Sequence, residues 1–385
     1  MRILFCNDDF PGHFEALASM LSAMPEHDVV FASLYGRRDF SLPGVRRAIL
    51  KPSRKRPSRE GDEAVQEWSR AVSAGRLALS SFQTLADNGF EPDMILFSSG
   101  AGISLFLERA FPAAFRAAYI DSSLPRRIQP DAPDRNMALH MVQSSVLFQC
   151  HKAYAFSAQH AAAMPGLTGQ LVESLTPCVD TDFFQRENAS PFLCEGMGED
   201  AELIAIEGRG AAIGQGLVSV VAGLLIHRPK CHVLFLCGSE AVCQKVRETF
   251  ASLGELGQRV HAQEVLKRAD FRNALCASSV YICPTGPGLT QEKMAAMSCG
   301  TVLIAPPCRE AGADAAMLAL PAEPKALFGL LHRLLDDRPA MERLGQAARR
   351  IMLASCDQKH VLRRHIDDLF QVYEDWKKAR PGGRA

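Results

Sequence analysis

The sequence has no apolar run of the ~18 residues that a membrane-spanning helix needs, so it reads as a chain without one. It has no net charge either: 43 Lys and Arg stand against 43 Asp and Glu. The molecule as a whole therefore has no bulk attraction to nucleic acid or to an anionic membrane. It lacks any C-x-x-C pair, although it has 12 cysteines, which argues against a structural zinc site. Most of those cysteines, among them Cys6, Cys237, Cys276 and Cys299, sit in apolar runs as small hydrophobes. Free thiols in that number fit a reducing cytoplasm. The opening residues MRILFCNDDF read as a strand entering acidic residues, without the basic lead and apolar core of a secretion signal. The expected location is cytoplasmic.

What is present is an ordinary globular composition, 47% apolar and 22% charged, over 385 residues. That length predicts two domains. Strand-like and helix-like segments alternate throughout. RILFC, DVVFASL, PDMILFSS, FRAAYID and KAYAFS read as strands in the first half, with helices in HFEALASMLSAM, Asp62 to Ala86, ISLFLERAF and AQHAAAM. ELIAIEG, CHVLFLCG, SSVYICP and TVLIAPP are the strands of the second half. Its helices begin with GLVSVVAGLLIHR and AVCQKVRETFASL, and three more close the chain. Such alternation gives parallel sheets covered on both faces. The fold class is α/β, two doubly wound Rossmann-like domains facing across a cleft. Apolar periodicity stops between Val179 and Phe192, so residues 1–182 form the first domain and 183–362 the second, and 363–385 form a helix that braces the first.

In open parallel sheets, ligands sit outside the carboxyl ends of the strands. Three strand-to-helix turns there carry glycine: NDDFPGHF with Gly12, EGRGAAIGQG from Glu207 to Gly216, and CPTGPGLTQEKMAAMSCG from Cys283 to Gly300. Glycine lets backbone approach a ligand, and the helix start behind it offers free N–H groups, a combination suited to phosphate. Three such turns point to a nucleotide diphosphate. Asp8 and Asp9 read first as turn formers and a cap. His13 contacts an acceptor or a phosphate, or merely starts a helix. Asp121 is a base if the reaction inverts, or caps the turn that follows. His227 and His232 read as structural. A basic run with Arg46, Arg47, Lys51, Arg54, Lys55, Arg56 and Arg59 reads as a solvated connector or a patch for an anionic acceptor such as a lipid headgroup. No aromatics interleave there, which disfavours nucleic acid.

Taken in order and spacing, MRILFCNDDFPGHFEALASML, the PGV at Pro43 to Val45, FEPDMILFSSGAGISLFLERAFP and VDTDFF resemble the N-terminal module of a bacterial branch of the family-4 glycosyltransferases. EGRG, HRPKCHVLFLCG, AMSCG and LLDDRPAMERLGQAARRIM resemble the donor half of the same family, which has the two-domain GT-B architecture. The resemblance implies hexosyl transfer from a UDP- or GDP-sugar to a saccharide, lipid-linked or protein acceptor, with anomeric configuration retained and no metal or further cofactor. It places the donor against Arg209, Gly210, Gln215, Gly286, Gly288, Leu289, Thr290, Glu292 and Glu310, with Gly12 in the first domain. The sequence departs from the pattern at five positions. Gln215 replaces the second cation, Ala295 and Pro287 replace two donor glutamates, and Ser98 and Ile103 stand at the His and Glu of the first-half loop. Glu292, three residues before Ala295, is the nearest substitute; with Asp121 and His13 it completes the catalytic candidates. The competing expectation is a glycosyltransferase fold that no longer transfers sugar and serves as a binding or partner subunit.

Overall fold

The computed structural model describes the chain except residues 37–39, 51–61, 121–132, 158–160, 162–171, 199, 209–213, 265–266, 285, 287, 309 and 381–385, and the side chains of 133–136. Asp121, Arg209, Gly210, Pro287, most of the AQHAAAM segment and the basic residues from Lys51 to Arg59 lie outside the described residues. The chain forms two compact units, 1–175 with 362–385, and 176–361. Residues 176–182, read above with the first domain, cluster with the second unit. Val179 bridges Asp357 there, and the Thr181 hydroxyl donates to the Asp357 carboxylate.

Unit 1 runs β1 (Arg2–Cys6), β2 (Asp9–Phe10), α1 (Glu15–Ser22), β3 (Asp28–Ser33), β4 (Tyr35–Gly36), β5 (Val45–Ile49), α2 (Glu63–Asp87), β6 (Met94–Ser98), α3 (Leu107–Ala110), β7 (Phe115–Ile120), α4 (Pro133–Leu147), β8 (Lys152–Ala155) and β9 (Val172–Ser174). Among the described residues its main sheet is parallel, in the order β5-β3-β1-β6-β7-β8-β9. In β1, Leu4 and Cys6 enter one core with α2 and α4, while Ile3 and Phe5 enter the other with α1. Burial on both faces is why ILFC and MILF are continuously apolar. Two readings change here. ISLFLERAF is a single turn at Gly102–Ser104 followed by the short α3. A Cβ on Gly102 would lie 2.9 Å from Ala71 Cα, so only glycine admits α2 this close. The first basic residues are strand, not connector. Arg46 holds both Asp28 oxygens at 3.1 and 2.6 Å, and the Arg47 guanidinium lies 4.0 Å from the Phe10 ring centre.

Unit 2 runs β10 (Glu202–Glu207), α5 (Gln215–His227), β11 (Cys231–Cys237), α6 (Glu240–Ala251), β12 (Val260–Glu264), α7 (Arg268–Ala277), β13 (Val280–Ile282), α8 (Gln291–Ser298), β14 (Val302–Ala305), β15 (Leu318–Ala319), α9 (Pro324–Asp336) and α10 (Arg338–Ile351). Its described sheet is parallel in the order β12-β11-β10-β13-β14-β15. Leu203 and Ala205 pack towards α7, α8 and α10, and Ile204 and Ile206 towards α5, α6 and α9. Arg349 of α10 ties the entry segment to α8, donating through Nη1 to Thr181 O, Phe184 O and Ser298 O, each at 2.9 Å.

The last helix, α11 (Gln358–Ala379), returns to unit 1 from residue 362. Ile366, Leu369 and Tyr373 are buried in the same core as Phe115 and Tyr119. The Tyr119 hydroxyl lies 2.7 Å from His365 Nε2. Burial lowers His365 to about 4, and lowers His151 and His261 to about 4 as well. These imidazoles are neutral when folded, so the unfolded chain binds more protons between pH 6.5 and 4, and stability falls as pH drops through that window. For the buried His365, the loss between pH 7 and pH 5 is about 2 kcal/mol of unit 1 stability. Urea titrations at the two pH values measure this: the midpoint is lower at pH 5 and recovers on return to pH 7, and equal midpoints would show that these histidines are already charged in the native state.

Candidate functional site

The strand order of unit 2 reverses between β10 and β13. Connections from β10 run one way through α5, and β13 lies on the other side, which is where open parallel sheets take ligands at their carboxyl edge. β10 ends there at Glu207, which is 6% exposed, and β13 delivers Cys283, whose Sγ lies 2.7 Å from Glu207 Oε2. The Gly/Pro turn follows, then α8.

That turn is held from inside. Lys293, in the first turn of α8, is fully buried, and its Nζ donates to Gly286 O at 2.7 Å and Gly288 O at 2.8 Å. Gly286 and Gly288 have φ of 37° and 107°, left-handed conformations that let the turn aim both carbonyls at one ammonium. A Cβ on Gly286 would meet nothing within 4 Å, so the backbone there borders open space. Leu289 N–H donates to Glu310 Oε2 at 2.7 Å, and the Thr290 hydroxyl caps α8 by accepting from Lys293 N at 3.4 Å. Cys308 Sγ is 3.9 Å from the same Glu310 oxygen, and burial pushes its thiol above the ordinary value. One buried cation and one carboxylate thus fix a backbone turn at the sheet edge.

The structure therefore brings Gly286, Gly288, Leu289, Thr290 and Glu310 together, with Glu292 half-buried at the start of α8. Gln215 opens α5 after Gly214, with an exposed side chain. Arg209, Gly210 and Asp121 are outside the described residues. In unit 1, Gly12 has φ of 54°, and a Cβ on it would lie 2.3 Å from Asn7 Nδ2. Its neighbour His13 packs with ring centres 4.1 Å from Phe14 and 4.9 Å from Phe156. Three of the departures from the family pattern are interior positions: Ala295 is 1%, Ser98 2% and Ile103 0% exposed. Among the described residues no cluster of three His, Cys, Asp or Glu side chains could hold a metal ion, and no helix is long and apolar enough to cross a membrane.

Two contacts at this edge are absent from the sequence reading. Lys293 is a staple for the turn, and a buried lysine inside an eight-residue helix gives no periodic signal that separates it from a surface one. The Glu207–Cys283 contact joins the ends of two strands far apart in sequence. Its only local trace is a glutamate directly after an apolar run.

Residues 25–129 match the family model described as Glycosyl transferase family 4 group. No curated protein sequence matches this chain. Among solved structures, a glycosyltransferase from Rickettsia africae ESF-5 is 14% identical, with a TM-score of 0.65 over 96% of this chain and 98% of its own. Anabaena HepE, solved in complex with UDP, is 14% identical, with a TM-score of 0.67 over 96% of this chain and all of its own. A UDP-N-acetylglucosamine 2-epimerase is 14% identical, with a TM-score of 0.60 over 100% of this chain and 98% of its own. At these identities the likeness establishes the fold. The family-4 resemblance and the GT-B fold class are both borne out.

Replacing Lys293 by Met keeps the stem but leaves the carbonyls of exposed Gly286 and half-buried Gly288 without their cation. The expected cost is about 2–4 kcal/mol of unit 2 stability, with proteolytic sensitivity appearing between 284 and 290. Thermal unfolding with peptide mapping checks both, and a variant as stable and as resistant as the parent would show that the ammonium is not what holds the turn.

Proposed function

We propose that this chain, with its family-4 module and GT-B fold, is a glycosyltransferase that moves a hexosyl group from a nucleotide-sugar donor to an acceptor hydroxyl in glycan or glycoconjugate synthesis. The observation that carries the reading is the Lys293 staple on Gly286 O and Gly288 O, at the strand-order reversal of unit 2. Anabaena HepE, which shares the fold, is solved with UDP and with UDP-glucose, which supports a UDP-sugar here, with a GDP-sugar as the other choice. Unit 2 takes the donor and unit 1, by the family resemblance, the acceptor. The backbone at Gly286 and the start of α8 face the diphosphate, Arg209 supplies its cation, and Glu310 and Glu292 act towards the donor's hydroxyls.

Transfer proceeds without metal and with retention. The acceptor oxygen bonds to the anomeric carbon as the bond to the leaving phosphate oxygen breaks, and the acceptor proton passes to that oxygen. The leaving diphosphate needs preorganised positive charge and N–H donors, and Arg209 is the single basic residue that the EGRG turn offers for the purpose. Asp121 and His13 remain acceptor-side candidates.

A second reading, a degenerate glycosyltransferase fold acting as a binding or partner subunit, is favoured by two observations. Ala295 is 1% exposed at the position of the family's donor glutamate, and Glu310 already occupies the Leu289 N–H.

Thermal unfolding with UDP, GDP, ADP and their sugar conjugates separates the two. A nucleotide at ~100 times its dissociation constant adds about 2.7 kcal/mol, a rise of several degrees. A rise with one base supports a working donor site. No rise with any of them would sink the transferase reading and leave the partner subunit. For a turning-over enzyme, Arg209→Ala lowers kcat/KM about 10²-fold. Product analysis without acceptor shows whether the donor sugar instead changes stereochemistry, as an epimerase would require.

A further inference from the structure

The sheet of unit 2 has a second feature at its opposite end. A cavity of about 610 Å³ opens at the amino ends of β10, β13 and β14, lined there by Glu202, Ser279 and Val302. Glu207 and Cys283, at the candidate donor site, lie at the carboxyl ends of two of the same strands. Two cysteines stand in the cavity wall: Cys276, the penultimate residue of α7, and Cys299, directly after α8. Cys299 is 2% exposed, whereas Cys276 is partly open to solvent, unlike the buried hydrophobe expected from its apolar run.

Cys276 packs against the same apolar cluster in which Cys299 is buried, so the two thiols share one wall of the cavity. The main chain that carries them is pinned. Thr301 Oγ1 donates to Leu275 O at 2.7 Å, and Arg186 Nε donates to Cys299 O at 3.1 Å. The charged groups that act on Cys276 are Arg186 and Arg272, with Glu187 opposing them. Arg186 and Arg349 act on Cys299. Its interaction with Cys299 lowers the Cys276 thiol below its ordinary value, burial opposes this, and the two arginines add to the lowering. Cys299 is pushed up in return. The other thiols with a shift all move up: Cys6, Cys150, Cys178, Cys194, Cys231, Cys237, Cys308 and Cys356, each with burial as the largest cause. The nucleophile in thiol chemistry is the thiolate, and it must be reachable.

We propose that Cys276 is the peroxide-reactive thiol of this chain and that Cys299 resolves it to a disulfide. The Cys276 thiolate attacks hydrogen peroxide, forming a sulfenic acid and releasing hydroxide. The Cys299 sulfur then attacks the sulfenic sulfur; its proton and the departing hydroxyl leave as water. Two thiols lose two electrons and two hydrogens in total, and one peroxide is reduced to two waters. The bond joins the end of α7 to the end of α8, the helix whose first turn carries Lys293. The site stands apart from the donor-binding reading and does not depend on it.

The test uses the reduced full chain. Iodoacetamide labelling with peptide mapping is run across pH, followed by limiting hydrogen peroxide and mapping again. Cys276 is expected to label about 10-fold faster at pH 7 than the other cysteines, and peroxide to yield a 276–299 linked peptide two hydrogens lighter. In Cys299→Ser, labelling of Cys276 at neutral pH slows, and oxidation stops at a sulfenic acid that dimedone traps. Preferential oxidation of another cysteine, or oxidation of Cys276 without the 276–299 link in the parent chain, would overturn the proposal. If Cys299→Ser does not fold, the parent's labelling profile decides: a midpoint well below 9.0 supports the proposal, and one at or above it overturns it.

Discussion

The buried ammonium of Lys293 is the fixed point of the second unit's carboxyl edge. An isolated ammonium in that interior would be strongly destabilising, so it persists only because Gly286 O and Gly288 O receive it at 2.7 and 2.8 Å. Those carbonyls reach one point only because both glycines take left-handed conformations. The turn, the helix start and the Leu289–Glu310 contact follow from that geometry. The ammonium is therefore spent on the protein's own backbone. A lysine that looks like a ready cation for a phosphate acts here on the shape of the turn, and the direct charge must come from elsewhere.

The sheets explain why chemistry gathers where it does. Parallel strands buried on both faces leave no room for polar groups along their length. Leu203 to Ile206 are all 0–1% exposed, and the first polar side chain on that strand's far side is Glu207. Function is pushed to the strand ends, and in unit 2 the two ends differ. The carboxyl end presents stapled backbone beside a carboxylate. The amino end presents a cavity walled by thiols and arginines. α8 has one terminus at each, with Thr290 at its start and Cys299 at its close.

The sequence carried the central strands of both units and the switch-point turns, though not the outer strands β5, β9, β12 and β15, because continuous apolar runs and glycine at strand ends are local signals. It hid α4, β12 and α7 for physical reasons. On α4, Ala138, Val142 and Val146 face inward, but Met137 and Met141 are apolar and exposed, which blurs the helical period. β12 is an edge strand with only partial burial, so its alternation is weak. The site was legible as a list of residues and illegible as contacts. Glu310 meets Leu289 across 21 positions and Cys283 meets Glu207 across 76, separations for which a single sequence holds no cue.

The departures from the family pattern bear on each other. Had the donor glutamate been lost at an open position, any polar side chain would do as well there. Ala295 instead is sealed among Met294, Ala296 and Met297, all at most 1% exposed. A carboxylate at that position would have to displace packed apolar atoms or find a buried partner. Ile103, equally sealed in the first unit's core, shows the same exchange of a polar family position for packing. On the proposed transferase reading, donor recognition in this chain runs through backbone N–H groups, the EGRG turn and Glu310, a set weighted towards the diphosphate and the nucleotide. Binding by such a set would depend more on the nucleotide than on the sugar, because the pattern's sugar-facing carboxylate positions at 287 and 295 are Pro and Ala.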